Sequence, residues 1–247
     1  MFTRLLVGLD GSPRADAALE QAVILGQRFH STVVVAHVRE PGGEDGTAML
    51  DRARERLLAA GLPGEMVEQP GIPDQVLAAL ARDADVVLLG RRGTTATSAL
   101  GPTLTALIRY AGRSVIACAG LPSPMRSCAV AFDGGETSQR ALELAVRFAS
   151  VANSTVHVIH AADDRDAGLK VLGAAEAALS MQRVAFGSHM EAGPPGEVIA
   201  RVIKRLGCDA LFAGAHMEQR LGRASIASVS HAEEILLHTD IPVVVQP

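Results

Sequence analysis

Asp10-Gly11 recurs as Asp133-Gly134, and much else recurs with it at the same offset of 123 residues. Ala18-Leu19-Glu20 returns as Ala141-Leu142-Glu143, Ser31-Thr32-Val33 as Ser154-Thr155-Val156, and His37 as His160. Asp85 and Gly90 return as Asp209 and Gly214, at an offset of 124. A repeat this long is a duplicated domain, not a solenoid unit of about 20–50 residues. It predicts two domains of ordinary size, residues 1–122 and 125–247, joined through Gly120-Leu121-Pro122-Ser123-Pro124.

Within each half, short apolar runs alternate with helical patterns. Leu5–Leu9 reads as a buried strand, and Ser12 and Pro13 then open a helix as N-cap and first helical residue. Further strands are expected at 32–38, 66–68, 85–89 and 114–118, with helices at 48–60, 73–82 and 104–110. The second half repeats the order, with strands at 128–132, 155–161, 183–188, 209–213 and 241–245 and helices at 137–149, 166–180, 196–205 and 226–238. Continuous apolar strands separated by helices predict a doubly wound parallel sheet.

Composition narrows the function. Aromatics are 3% of the chain and Trp is absent, so the core is expected to be Ala, Val, Leu and Ile, and base-stacking platforms are not supported. The net charge is −4 without a long basic run, which argues against nucleic acid as a partner. Cys118, Cys128 and Cys208 lack CxxC spacing and read as buried thiols of a reducing, cytoplasmic setting. No signal peptide and no bilayer-spanning apolar run is visible, so no membrane association is expected.

Parallel sheets bind ligands at the carboxyl ends of their strands, where the strand order reverses. Asp10, His37-Val38 and Gly90 fall at three such ends. The segment from Gly90 to Thr103 carries Gly93, Gly101, Arg91, Arg92 and several hydroxyls, a composition suited to phosphate at a helix N-terminus. The spacing supports a phosphate cradle and a solvated loop equally. Asp10 and its copy Asp133 could bind a ribose, a base or a metal, or simply form an Asx turn. His37 and His160 read as hydrogen-bonded structural groups, and His157 and His160 face opposite sides of a strand and cannot share a metal. There is no Walker A segment, no GxGxxG after the first strand, no HExxH and no nucleophile elbow.

Taken together, Leu-Val-Gly-Leu-Asp-Gly-Ser at 6–12, Val-Ala-His-Val at 35–38, Asp-Val-Val-Leu-Leu-Gly-Arg-Arg-Gly at 85–93 and Ile-Pro-Val-Val-Val at 241–245 make each half resemble a universal stress protein domain. The resemblance implies an α/β fold: two tandem Rossmann-like domains, each a five-stranded parallel sheet of order 3-2-1-4-5 with helices on both faces. It also implies pairing of the two domains through their last strands, here 114–118 with 241–245 inside one chain, and leaves a further homodimer open.

One branch of that family binds ATP through Gly-x2-Gly-x9-Gly-(Ser/Thr) after strand four, and another branch has lost the site. The first half keeps Gly90 and Gly93, but Gly101 comes two residues early and Pro102 removes a backbone donor, while Thr103 keeps a hydroxyl. The second half has Gly214 followed by Met217 in place of a glycine, then Ala227-Ser228. The candidate nucleotide-binding residues are therefore Gly8, Asp10, Val38, Gly90, Arg92, Gly93, Gly101 and Thr103. A second, less favoured set is Asp133, Ala161, Gly214, Ala227 and Ser228.

The resemblance implies a stress-response regulator that binds ATP, with Mg2+ on its phosphates, and changes its surface toward a protein partner without substantial catalysis. The broken glycine patterns support an alternative, a nucleotide-free interaction module with Met217 in its crevice. An enzyme of a related sheet would need an HxGH or SGGxDS signature, and neither is present.

Overall fold

A computed structural model describes residues 1–43, 45–93, 100–215 and 231–247, and it divides into two units, Met1–Ser123 and Pro124–Pro247. In the first unit the chain runs through Arg4–Leu9 (β1), Pro13–Phe29 (α1), Thr32–Arg39 (β2), Thr47–Ala59 (α2), Gly64–Pro70 (β3), Pro73–Leu80 (α3), Val86–Gly90 (β4), Pro102–Tyr110 (α4) and Ser114–Cys118 (β5). The strands are ordered β3-β2-β1-β4-β5, and all are parallel. The second unit has Ser127–Ala131 (β6), Glu136–Ala152 (α5), Thr155–Ala161 (β7), Arg165–Ser180 (α6), Phe186–Glu191 (β8), Pro195–Leu206 (α7), Ala210–Gly214 (β9), His231–His238 (α8) and Val243–Gln246 (β10). Its order is β8-β7-β6-β9-β10, again parallel. Each unit thus has the expected doubly wound sheet of order 3-2-1-4-5.

The central strands follow directly from their sequences. Apart from its first residue β1 is buried, as is all of β5, so helices cover both sheet faces. Edge strands do not advertise themselves in the same way. The sequence predicts only residues 66–68 for β3, yet seven residues pair with β2, most of them exposed. Likewise β8 lies three residues beyond the expected 183–188. Its register is set by backbone pairing with β7, since its side chains are only half-buried and mark no apolar run. At β10 the strand starts at Val243 rather than 241 because Pro242 has no N–H for the ladder. The expected helix at 226–238 is described from His231, and residues 226–230 lie outside the described residues.

Capping explains the first helix. The Ser12 hydroxyl accepts from the Ala15 N–H, Pro13 is the first helical residue, and His30 ends the helix in the left-handed region at φ 54°. Asn153 does the same for α5 at φ 52°. Aromatic side chains are few but central in the second unit, where Phe148 and Phe212 meet at 5.7 Å in the core, alongside the expected aliphatics. All three cysteines are buried thiols, and burial pushes Cys118 up to about 12. Among the described residues no helix is long and apolar enough to cross a membrane.

The repeated aspartates before β4 and β9 have a structural use. Asp85 accepts from the Thr3 N–H at 2.6 Å, the Thr3 hydroxyl at 2.7 Å and the Arg4 N–H at 3.0 Å. Asp209 accepts from the N–H groups of Arg126 and Ser127 at 3.0 and 2.8 Å. Each carboxylate fixes the start of the neighbouring strand. Burial pushes the Asp85 carboxyl up, but these hydrogen bonds outweigh it and hold the group below its ordinary value of 3.8. A depressed carboxyl stabilises the fold above its unfolded pKa and ceases to do so as pH falls through the folded one. Asp85→Ala is expected to cost the first unit about 1 kcal/mol at pH 7. Thermal melts across the acid range should show the gap to the parent closing below pH 3.8.

Candidate functional site

The order reverses at β1, between β2 and β4, and the loops leaving these three strands enclose a cleft of about 540 Å3. All eight first-half candidates line it: Gly8, Asp10, Val38, Gly90, Arg92, Gly93, Gly101 and Thr103.

The turn after β1 is built by its own residues. The Ser12 N–H donates to Asp10 Oδ1 at 3.0 Å, and Gly11 takes φ 78°, which disfavours any side chain. The copy is similar: the Gly135 N–H donates to Asp133 Oδ1 at 2.8 Å, and Gly134 has φ 83°. The recurrence of Asp-Gly is therefore explained by the Asx turn. A β-carbon on Gly93 would collide with Asp10 Oδ2, so the loop after β4 crosses directly over this carboxylate.

That loop is closed at its base. The Arg91 N–H donates to the Cys118 carbonyl at 2.9 Å, and the Gly101 N–H donates to the Arg91 carbonyl at 2.7 Å. Gly101 is the N-cap of α4 and Pro102 its first residue, so the helix begins earlier than the expected residue 104. The N–H of Gly101 is spent on loop closure and cannot serve an anion. The next donors are the N–H groups of Thr103 and Leu104, which belong to the unsatisfied first turn of a helix, and both residues line the cleft.

Gly90 has a different explanation from the one its spacing suggests. A β-carbon there would lie 2.8 Å from the backbone carbon of Arg14 and 2.9 Å from the Ala15 nitrogen, so the first turn of α1 rests against β4. Gly214 meets the Thr137 backbone in the same way. Neither has positive φ. Their recurrence is a packing requirement of the duplicated fold.

At the end of β2, His37 Nδ1 lies 3.0 Å from the Leu9 carbonyl, and His160 Nδ1 lies 2.8 Å from the Phe132 carbonyl. A carbonyl only accepts, so Nδ1 carries the proton in each, the structural role expected. Gly46 sits against the His37 ring, where a β-carbon would clash, and Gly43 and Gly46 both line the cleft. Arg39 at the end of β2, Glu40 and Asp45 after it, and Met49 and Arg52 of α2 also line the cleft, and sequence reasoning missed them. The Thr47 hydroxyl and N–H hold the Asp45 carboxyl below the ordinary aspartate value.

The equivalent cleft of the second unit measures about 110 Å3. Asp133, Ala161 and Gly214 line it, while Ala227, Ser228 and Met217 lie outside the described residues. Two of its lining side chains are larger than their counterparts in the first cleft. At the 123-residue offset Leu9 becomes Phe132 and Ala36 becomes Ile159, and all four line their respective clefts. No basic side chain lines the second cleft among the described residues. The first has Arg39, Arg52 and Arg92, set against Asp10, Glu40 and Asp45. Ligand pockets for small molecules span about 300–1,000 Å3, a range that includes the first cleft and lies above the second. Among the described residues no group of three or more His, Cys, Asp or Glu could hold a metal ion.

Known proteins share this architecture. The sequence profile of the universal stress protein family matches residues 1–118 and 125–247. A universal stress protein of Synechocystis sp. is 25% identical over 201 residues, covering 79% of this chain and 69% of its own length. A solved universal stress protein structure from Archaeoglobus fulgidus matches with a TM-score of 0.81 at 19% identity, over 100% of this chain and 98% of that one. A functionally unknown protein from Pseudomonas aeruginosa matches with 0.71 at 16% identity, over 99% and 92%. At these identities the two structures speak to the fold alone.

Proposed function

The chain belongs to the universal stress protein family, and on that premise we propose that its first half binds one adenine nucleotide while its second half binds none. The observation that supports this reading is the contrast between clefts of about 540 and 110 Å3 at equivalent places in the two units. Ala36, Val38 and Met49 offer an apolar bed for the base. Asp10 would accept from the ribose hydroxyls. Arg92, the N–H groups of Thr103 and Leu104 and the dipole of α4 would take the phosphates. Among the described residues the cleft's charges balance, three against three, so its preference for an anion rests on that local arrangement rather than on net charge. Mg2+ would arrive with the phosphates.

The ligand is held rather than turned over. No nucleophile with a paired general base lines the cleft among the described residues, and Asp10 Oδ1 is engaged in its turn. Nucleotide occupancy would then alter the 40–46 loop and the loop after β4, the surface offered to a protein partner in the cytoplasm. One observation favours a nucleotide-free interaction module instead: loop closure by Gly101 and the proline after it remove two backbone donors from the start of α4.

Calorimetric titration of the full chain with ATP and Mg2+ decides between them. One equivalent per chain is expected. No binding selects the interaction module, and two equivalents would mean that the second cleft opens. Steady release of phosphate, lost in Asp10→Ala, would overturn the non-catalytic reading.

A further inference from the structure

Two histidines of the second unit meet away from its cleft. His157 on β7 and His189 on β8 bring Nδ1 and Nε2 to 3.2 Å, with ring centroids 5.3 Å apart. Alternation along the strands puts both on one face of the sheet. His160 lies on the other face, against Gly168 of α6. Glu191 shares the face of His189, and its carboxylate is held by Arg201, at 2.9 Å, and Arg205 of α7. The sequence reading weighed His157 only against His160, found that they cannot share a metal, and so missed this constellation, because the partner comes from the neighbouring strand.

We propose that His157 and His189 form a two-imidazole site for a divalent first-row transition ion such as Cu2+, Ni2+ or Zn2+. Metal–nitrogen bonds of about 2.0–2.1 Å place two ligand nitrogens roughly 2.9 Å apart at a right angle and roughly 3.3 Å apart at the tetrahedral angle. The observed 3.2 Å falls between these. Both nitrogens also converge on the open space above Gly187, whose hypothetical β-carbon would be 3.4 Å from His189 Nε2 and 3.5 Å from His157 Nδ1. Imidazole nitrogen suits these ions, whereas Mg2+ and Ca2+ prefer oxygen.

The fold does not require the pair. His157 corresponds to Val34 at the repeat offset, and the strand registers Val34↔Glu65 and His157↔Gly187 make Val67 the counterpart of His189. The first unit therefore builds the same strand pair with two valines.

Protonation favours occupancy. Burial pushes both imidazoles below the ordinary histidine range; His157 and Arg205 depress His189 further, and Glu191 opposes them. Both shifts favour the neutral imidazole. In the ion-free pair one ring donates its N–H to the other. Metal binding needs both facing nitrogens as lone pairs, so the donor ring shifts its proton to its other nitrogen and none is released. Water completes the coordination.

The test is titration of the full chain with Cu2+, read by calorimetry and by the nitrogen hyperfine pattern of the Cu2+ electron spin resonance spectrum. One tight equivalent with two coupled nitrogens is expected. His189→Gln should weaken that equivalent by at least about tenfold. Gly187→Val keeps both imidazoles and fills the space between them. It should abolish the two-nitrogen signal while the circular dichroism melt shows the fold retained. Absence of a tight equivalent in the parent, or its survival in either folded variant, overturns the assignment. The result does not depend on whether the first cleft binds a nucleotide.

Discussion

Gly93→Val is expected to weaken nucleotide binding by at least about 100-fold, roughly 2.7 kcal/mol. Gly93 does not take positive φ, so the effect does not come from backbone strain. It comes from space. Its β-carbon would collide with Asp10 Oδ2, and relief requires either the carboxylate or the loop after β4 to move. Both belong to the proposed ribose and phosphate contacts. The loop is anchored at its base by the Arg91 N–H to the Cys118 carbonyl and the Gly101 N–H to the Arg91 carbonyl, so the sheet should be undisturbed. Calorimetric titration with ATP and Mg2+, beside a circular dichroism melt, separates the two consequences. Unchanged affinity in a folded variant would remove this loop from the site.

The second large effect is on folding. Gly214→Val is expected to destabilise the second unit by about 3 kcal/mol or more, the upper end of overpacking costs. The new β-carbon meets the backbone of Thr137, and main chain in the first turns of a helix cannot swing aside as a side-chain tip can. In a domain of this size the shift in midpoint is roughly 10 °C. Scanning calorimetry is the suitable measurement because the two units can melt separately. Gly120→Ala, where nothing lies within 4 Å of the added carbon, is the matched control and should be neutral. A Gly214 variant as stable as that control would refute the packing account of the recurring glycine.

These two glycines illustrate what the sequence discloses. The duplication, the parallel order and the start of α1 are legible because buried strands and the Ser12-Pro13 cap carry strong local signals. The edge strands β3 and β8 are poorly legible because their positions come from backbone pairing with a neighbour. At the site, the strand ends and the family resemblance pointed to residues that line one cleft, but not to why each is there. Gly90 and Gly214 recur because a helix rests on them, whereas Gly93, which has no glycine copy, lies over a carboxylate. The difference between the halves was partly readable. Ala36 against Ile159 and Leu9 against Phe132 are visible in the repeat itself, once their shared position at the cleft is known. The wall formed by Arg39, Met49 and Arg52 left no such trace, since no motif marks it.

Phe132 and Ile159 carry a wider consequence. A hollow that admits a ligand is apolar wall left without a packing partner, and filling it is one of the simplest ways to strengthen a fold. A single-copy protein must choose between the two. Duplication removes the choice: one copy can keep its vacancy open to solvent and solute, while its twin turns the same vacancy into interior. The halves of this chain read as the two answers to one trade-off, held on a single polypeptide.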